Sequence, residues 1–165
     1  MSISKLDGHS VSHRLTSTMF DDATTSLMEE LFAGENLLQI VLHGHLLIER
    51  ALTERVAKKF TRPEVISGPN ARWTFSQLVS MYIGLYAPEE DHIRLFRGIN
   101  KLRNMAAHEL NFDGATVSKC LPWEGEQHPQ PPDPITHVKV AVTVLLFFEL
   151  RAIDSIHRLD EPSAL

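Results

Sequence analysis

The chain has one cysteine, Cys120, in 165 residues. No intrachain disulfide and no cysteine metal cluster can form, so a reducing, cytoplasmic setting is expected. Long apolar runs are absent too. The longest extends from Val140 to Phe148, broken by Thr143, far short of the roughly 20 residues a membrane helix needs. The opening stretch, MSISKLDGHSVSHRL, lacks the apolar segment of a secretory leader. Positive charge is not in excess: the net charge is -5, which argues against a surface built to coat nucleic acid but leaves room for a small basic site. There is no glycine-rich phosphate loop, GxSxG elbow, HExxH or paired CxxC, so the common nucleotide, hydrolase and zinc chemistries have no support. No metal and no cofactor is expected.

What is present is ordinary globular material. Hydrophobic residues make up 43% and charged residues 22% of the chain, which excludes disorder or a fibre as a global description and fits one domain. Residues 1–17 are polar and read as a flexible N-terminal arm. Residues 18–160 read as a single all-α domain of about five helices. The first spans about Thr18 to Phe32, ended by Gly34. The second, about Glu35 to Phe60, has two neighbouring apolar stripes: Leu38, Val41, His45, Ile48 and Leu52, and Leu37, Ile40, Gly44, Leu47 and Ala51. Two stripes mean partners on both sides, and Gly44 and Ala51 invite close approach.

After a linker at 61–73, Thr74 and Gln77 form a capping-box pattern that starts a third helix ending near Tyr86. Pro88 followed by Glu89, Glu90 and Asp91 starts a fourth. Its buried face is Ile93, Phe96, Ile99 or Asn100, Leu102 and Ala106, and it stops near Glu109. A long proline-containing loop is expected at 111–134, then a fifth helix from about Ile135 to Leu159, opened by Asp133-Pro134. The apolar middle of that helix suits a central position, or one shared with a second subunit.

The fourth helix carries Arg103-Asn104-Met105-Ala106-Ala107-His108. An Arg followed by a polar residue, with four to six residues between that Arg and a His, resembles the signature of the HEPN family. Arg151 and His157 match the bare spacing as well, with Ala152 in the polar slot. Arg103 is preferred because it sits late in a helix that follows two amphipathic ones, with a loop and a last hydrophobic helix after it. The stretch GHLLIERAL in the second helix also resembles the family.

The resemblance implies a HEPN-like helical bundle acting as a homodimer, with both motifs facing one cleft. It further implies a metal-independent endoribonuclease of toxin or defence type, neutralised by a protein antitoxin, commonly a minimal nucleotidyltransferase. Such enzymes use the RNA 2′-hydroxyl as nucleophile. His108 suits the acid/base role, being able to titrate near neutrality. Arg103 suits a phosphate clamp, with its permanent charge and planar donor fork, and Asn104 suits orientation of either. Arg94, Arg97 and Lys101 are the candidate RNA-binding cations, or ordinary cations near a helix C-terminus.

On a regular helix Arg103 and His108 lie about 140° apart. Either the helix end bends near His108, or one chain's Arg approaches another chain's His. The layout is also similar to the mannitol repressor family, which implies the alternative of a non-catalytic dimeric regulatory or partner-binding protein.

Several other residues have structural readings. His43 and His45, two apart, do not make the i, i+4 pair typical of helical zinc ligands. His45 reads as a core or cleft histidine, and Glu49 as an intrahelical contact or support for the cleft. Trp73, Phe75 and Trp123 read as packing residues, and Cys120 as a lone loop cysteine.

Overall fold

The computed structural model describes residues 22–108, 112–121 and 133–150. The arm at 1–17, Trp123 in the long loop, and Arg151 with His157 lie outside these residues. Helices α1 (Asp22–Ala33), α2 (Leu37–Ala57), α3 (Glu64–Ser67), α4 (Phe75–Tyr86), α5 (Glu90–His108), α6 (Gly114–Cys120) and α7 (Pro134–Thr143) follow in order. α7 runs on as a π-helical segment, Val144–Glu149. The described residues contain no strand, so the all-α class holds.

Four helix starts have a visible chemical cause, because the first N–H groups of a helix need outside acceptors. The Asn36 side chain accepts from the Gln39 N–H at 3.1 Å at the head of α2. Thr74 and Gln77 form the expected capping box on α4. Asp113 accepts from Thr116 N–H on α6, and Asp133 from Thr136 N–H on α7, with Pro134 opening α7. Both aspartates are held below the usual carboxylate range by the backbone and hydroxyl hydrogen bonds of those two threonines. α4 ends on Ala87, a non-glycine residue in the left-handed region at φ 47°.

Two sequence-based boundaries need correction. The linker at 61–73 contains the short α3, whose first turn is tied by the Ile66 N–H to the Pro63 carbonyl. The expected loop at 111–134 contains α6, and Cys120 is its buried last residue rather than a loop cysteine. Neither segment is long enough for a periodic pattern to stand out. α5 begins at Glu90, with the Ile93 N–H bonded to Glu89, so Pro88 lies just before the first turn. The end of the fifth helix, beyond Leu150, lies outside the described residues.

The hub is α2. It packs against α1, α3, α4, α5, α7 and the π segment. Both expected stripes are buried or half-buried along it, except Leu38, which is exposed. Around it Leu31, Leu78, Phe96, Ile99, Val138 and Leu145 close one core. The approach at Gly44 is as close as its position suggested: a Cβ there would lie 2.6 Å from Val142 Cγ2 on α7. A tighter crossing joins α5 to α6, where a Cβ on Gly98 would collide with the Cys120 backbone carbonyl. From the opposite end, α7 sends Lys139 Nζ to the Phe32 and Gly34 carbonyls at 2.8 and 2.9 Å, capping the end of α1.

One polar cluster lies inside the apolar interior. Tyr82 on α4 donates its hydroxyl to Glu149 Oε1 at 2.6 Å. His92 on α5 makes an ion-pair contact with Oε2 of the same carboxylate. Burial, then the bond to Glu149 and its charge, push the Tyr82 phenol far above its ordinary range, with the Arg55 guanidinium offsetting part of the rise. Arg55 is itself buried and sits over the Tyr86 ring at 5.3 Å. The Tyr86 hydroxyl donates back to the Arg55 carbonyl at 2.8 Å.

Two stability measurements follow. Tyr82→Phe keeps the ring and deletes a donor to a buried carboxylate, so urea denaturation should show a loss of about 1.5–3 kcal/mol. Gly98→Ala places a methyl group against a backbone carbonyl that cannot rotate away, and should cost about 1–3 kcal/mol by the same assay. An unchanged midpoint in either variant would contradict the corresponding packing.

Candidate functional site

The motif residues occupy the last turns of α5, which stays helical through His108. Arg103, Asn104 and His108 are all exposed. Arg103 Nη1 donates to Asn104 Oδ1 at 3.2 Å, so the guanidinium and carboxamide form one unit. His108 lies one turn beyond Asn104, on the same side of the helix. Because α5 remains regular, Arg103 and His108 are not brought onto one face within a single chain. Residues 109–111, where a bend at the helix end would continue, lie outside the described residues.

Beneath the motif, α2 and α4 supply a second layer. His45 on α2 is buried, with its ring against Phe75 of α4 at 4.4 Å between centroids. Its Nδ1 lies 3.8 Å from Glu49 Oε2, an ion-pair separation too long for a hydrogen bond. Asn100 on α5 donates through Nδ2 to Ser76 Oγ at 3.1 Å, tying α5 to the first turn of α4.

The electrostatics of this layer converge on Arg103. Burial lowers the pKa of His45, an interaction with the Asn100 side chain pulls it back in part, and the Arg103 charge lowers it again. Burial raises the pKa of Glu49, and the Arg103 charge opposes that rise. The guanidinium is therefore close enough to be felt by both α2 side chains while remaining open to solvent. Arg103 is exposed, so its guanidinium can meet an anionic ligand from solvent.

The three candidate RNA-binding cations are all exposed. Arg94 lies 3.8 Å from Asp91, and Arg97 lies 4.0 Å from Glu90. Both pairs are on the surface, where such contacts are weak and are readily exchanged for a phosphate. Trp73 is an exposed residue whose Nε1 donates to the Val65 carbonyl at 2.9 Å, while Phe75 is buried. His43 turns to the other side of α2, 3.5 Å from Glu30. Among the described residues no group of three or more His, Cys, Asp or Glu is gathered as a metal site would require.

The Ser76–Asn100 bond and the Tyr82–His92–Glu149 cluster were not legible in the sequence. For Glu149 a signal existed: it is the carboxylate that directly follows the apolar run Val140–Phe148. Ser76 carried no signal beyond its place in a capping motif. No family model matches this sequence, and no curated protein or solved structure matches it either.

A pH dependence follows from His45. Its folded pKa is below its ordinary value of 6.5, so the unfolded chain takes up the proton first and stability falls as pH drops below 6.5. His137, lowered by its own burial, acts in the same direction. Denaturation midpoints recorded from pH 7 to pH 5 should decline less steeply in His45→Leu than in the unsubstituted protein. Parallel declines would show that His45 is not buried in its neutral form.

Proposed function

We propose that the protein is a metal-independent endoribonuclease of the toxin or defence kind, built as a HEPN-like homodimer. The observation that carries the reading is the end of α5. There an exposed Arg103–Asn104 pair lies close enough to His45 and Glu49 for its charge to act on both, and an exposed His108 follows one turn later, still within the helix. Neither group is spent on packing, and each is of the type that transesterification of RNA needs.

In this reaction the RNA 2′-hydroxyl attacks the adjacent phosphorus, and the bond from phosphorus to the 5′-oxygen breaks. The products are a 2′,3′-cyclic phosphate and a free 5′-hydroxyl. His108 moves the proton, and Arg103 balances the charge that builds on the phosphate oxygens. Asn104, bonded to Arg103, holds the guanidinium fork in one orientation.

The angle of about 140° between Arg103 and His108 on a regular helix supports a site whose two roles are divided between two chains. A twofold axis beside α5 would set one chain's Arg103 against the other's His108 and generate two equivalent sites. Arg94, Arg97 and Lys101, upstream on the same helix, would then border the cleft and draw in the RNA backbone. A protein antitoxin would act by covering this cleft.

A second reading, a non-catalytic dimer that binds a regulatory partner as in the mannitol repressor family, is favoured by one observation. Phe32 on α1 and Leu38 and Leu46 on α2 are large apolar side chains exposed by 42–49%, the material of a protein-binding face.

Controlled expression of the protein beside His108→Ala separates the readings. The nuclease reading expects growth arrest, RNA cleavage that persists in EDTA, and a loss of about 10²–10⁴-fold in the variant. Intact RNA and normal growth with folded protein would favour partner binding. Shared sites have their own signature. Arg103→Ala and His108→Ala are each inactive, but mixing and re-equilibrating them forms heterodimers with one intact site. About a quarter of the activity should return. No recovery would place Arg103 and His108 of one chain in the same site.

A further inference from the structure

Beside the motif, between α4 and α5, lies a cavity of about 150 Å³ that the cleavage chemistry does not use. Phe75 and Phe96 form its floor, and both are buried. Ser76 and Ser80 of α4 and Arg97 and Asn100 of α5 form its rim. We propose that this pocket receives the single-ring base of a pyrimidine nucleotide, with the nucleotide's phosphate turned toward Arg97. The proposal rests on the ribonuclease reading for RNA as the source of that base, and it adds a base preference to that reading.

Size is the first argument. A cavity of about 150 Å³ matches the volume of one six-membered ring, and its mixed polar and apolar lining suits a base rather than a hydrocarbon. A fused purine is larger than this and would project beyond the rim. The floor is the second. The half-buried Ile83 and the accessible edges of Val79 and Phe75 give the base an apolar side to rest against. His45 packs behind Phe75, which holds that wall in place.

The rim supplies the polar complement. Ser76 Oγ accepts from Asn100 Nδ2 at 3.1 Å, which leaves its own O–H available to donate. Ser80 directs its proton to the Ser76 carbonyl at 2.9 Å, which leaves its lone pairs available to accept. One donor and one acceptor at the mouth match the O4 and N3–H edge of uracil, or the N3 and amino edge of cytosine. Arg97 is exposed and meets Glu90 at 4.0 Å, a weak contact that a phosphate can displace. Asn100 on the rim and Asn104 in the motif are one helical turn apart, about 5.4 Å along the axis. A base in the pocket therefore belongs to a nucleotide next to the phosphate that Arg103 would hold.

The test is equilibrium binding to the His108→Ala protein, so that no cleavage is required. CMP, UMP, AMP and GMP are titrated while the amide resonances of Phe75, Ser76 and Ser80 are followed by NMR. The two pyrimidine nucleotides should saturate and bind at least about tenfold more tightly than the purine nucleotides. Ser80→Phe, which fills the mouth from an exposed position, should abolish saturation. Ser76→Ala should weaken CMP by about fivefold and carries the test should Ser80→Phe fail to fold.

Equal binding of purines and pyrimidines, shifts that persist in Ser80→Phe, or the absence of any saturation would overturn the proposal. A short oligocytidylate binding more tightly than CMP marks RNA as the source. Equal affinity for the two keeps the pocket, makes a free nucleotide its ligand and counts against the ribonuclease reading.

Discussion

Glu149 is a carboxylate carried into an apolar interior, and the packing of three helices answers to that one charge. A buried carboxylate without partners would cost several kcal/mol. Here α4 delivers the Tyr82 hydroxyl to one oxygen and α5 delivers His92 to the other, while Arg55 of α2 adds positive charge nearby. The two contacts come from separate helices, so they set the rotation and height of α4 and α5 relative to the π segment. Apolar packing alone tolerates a helix rolled by part of a turn, whereas a shared carboxylate does not. The π-helical turns belong to the same arrangement, because widening the helix from Val144 changes the direction in which Glu149 leaves it.

The remaining core is organised around α2, and its geometry is set by where side chains are missing. Gly44 lets Val142 of α7 come close, and Gly98 lets α5 meet the end of α6 at its backbone. With Lys139 reaching across to the last carbonyls of α1, the first and last described helices are fastened to the same hub. These constraints hold α4 and α5 side by side with the first turn of α4 against Asn100. That places a polar strip, from Arg97 through Asn100 to Asn104 and His108, along one edge of the bundle. The cavity opens on the same edge. The proposed chemistry and the proposed base pocket therefore share one surface because α5 contributes to both.

Much of this was legible in the residues. The all-α class, the two apolar stripes of α2, the close approach at Gly44, the capping box at Thr74 and the start of α7 at Asp133-Pro134 are local properties, written in spacings of three and four or in single capping residues. His45 was legible as a core histidine because it falls on the apolar stripe. That Arg103 and His108 point to different sides of a regular helix follows from their spacing alone. Less accessible were α3 and α6, since helices of four and seven residues are too short to display a period.

The sequence by itself determined which segments are helical, which faces are apolar and which residue types stand at the end of α5, because each follows from contacts between residues close in the chain. The tertiary structure alone decided that Tyr82, His92 and Glu149 share one charge, that Gly98 touches a backbone carbonyl, and that Ser76 meets Asn100 above a cavity. Those partners lie between 10 and 67 positions apart. Their meeting depends on how helices roll and cross, and that is settled by the packing of the whole core.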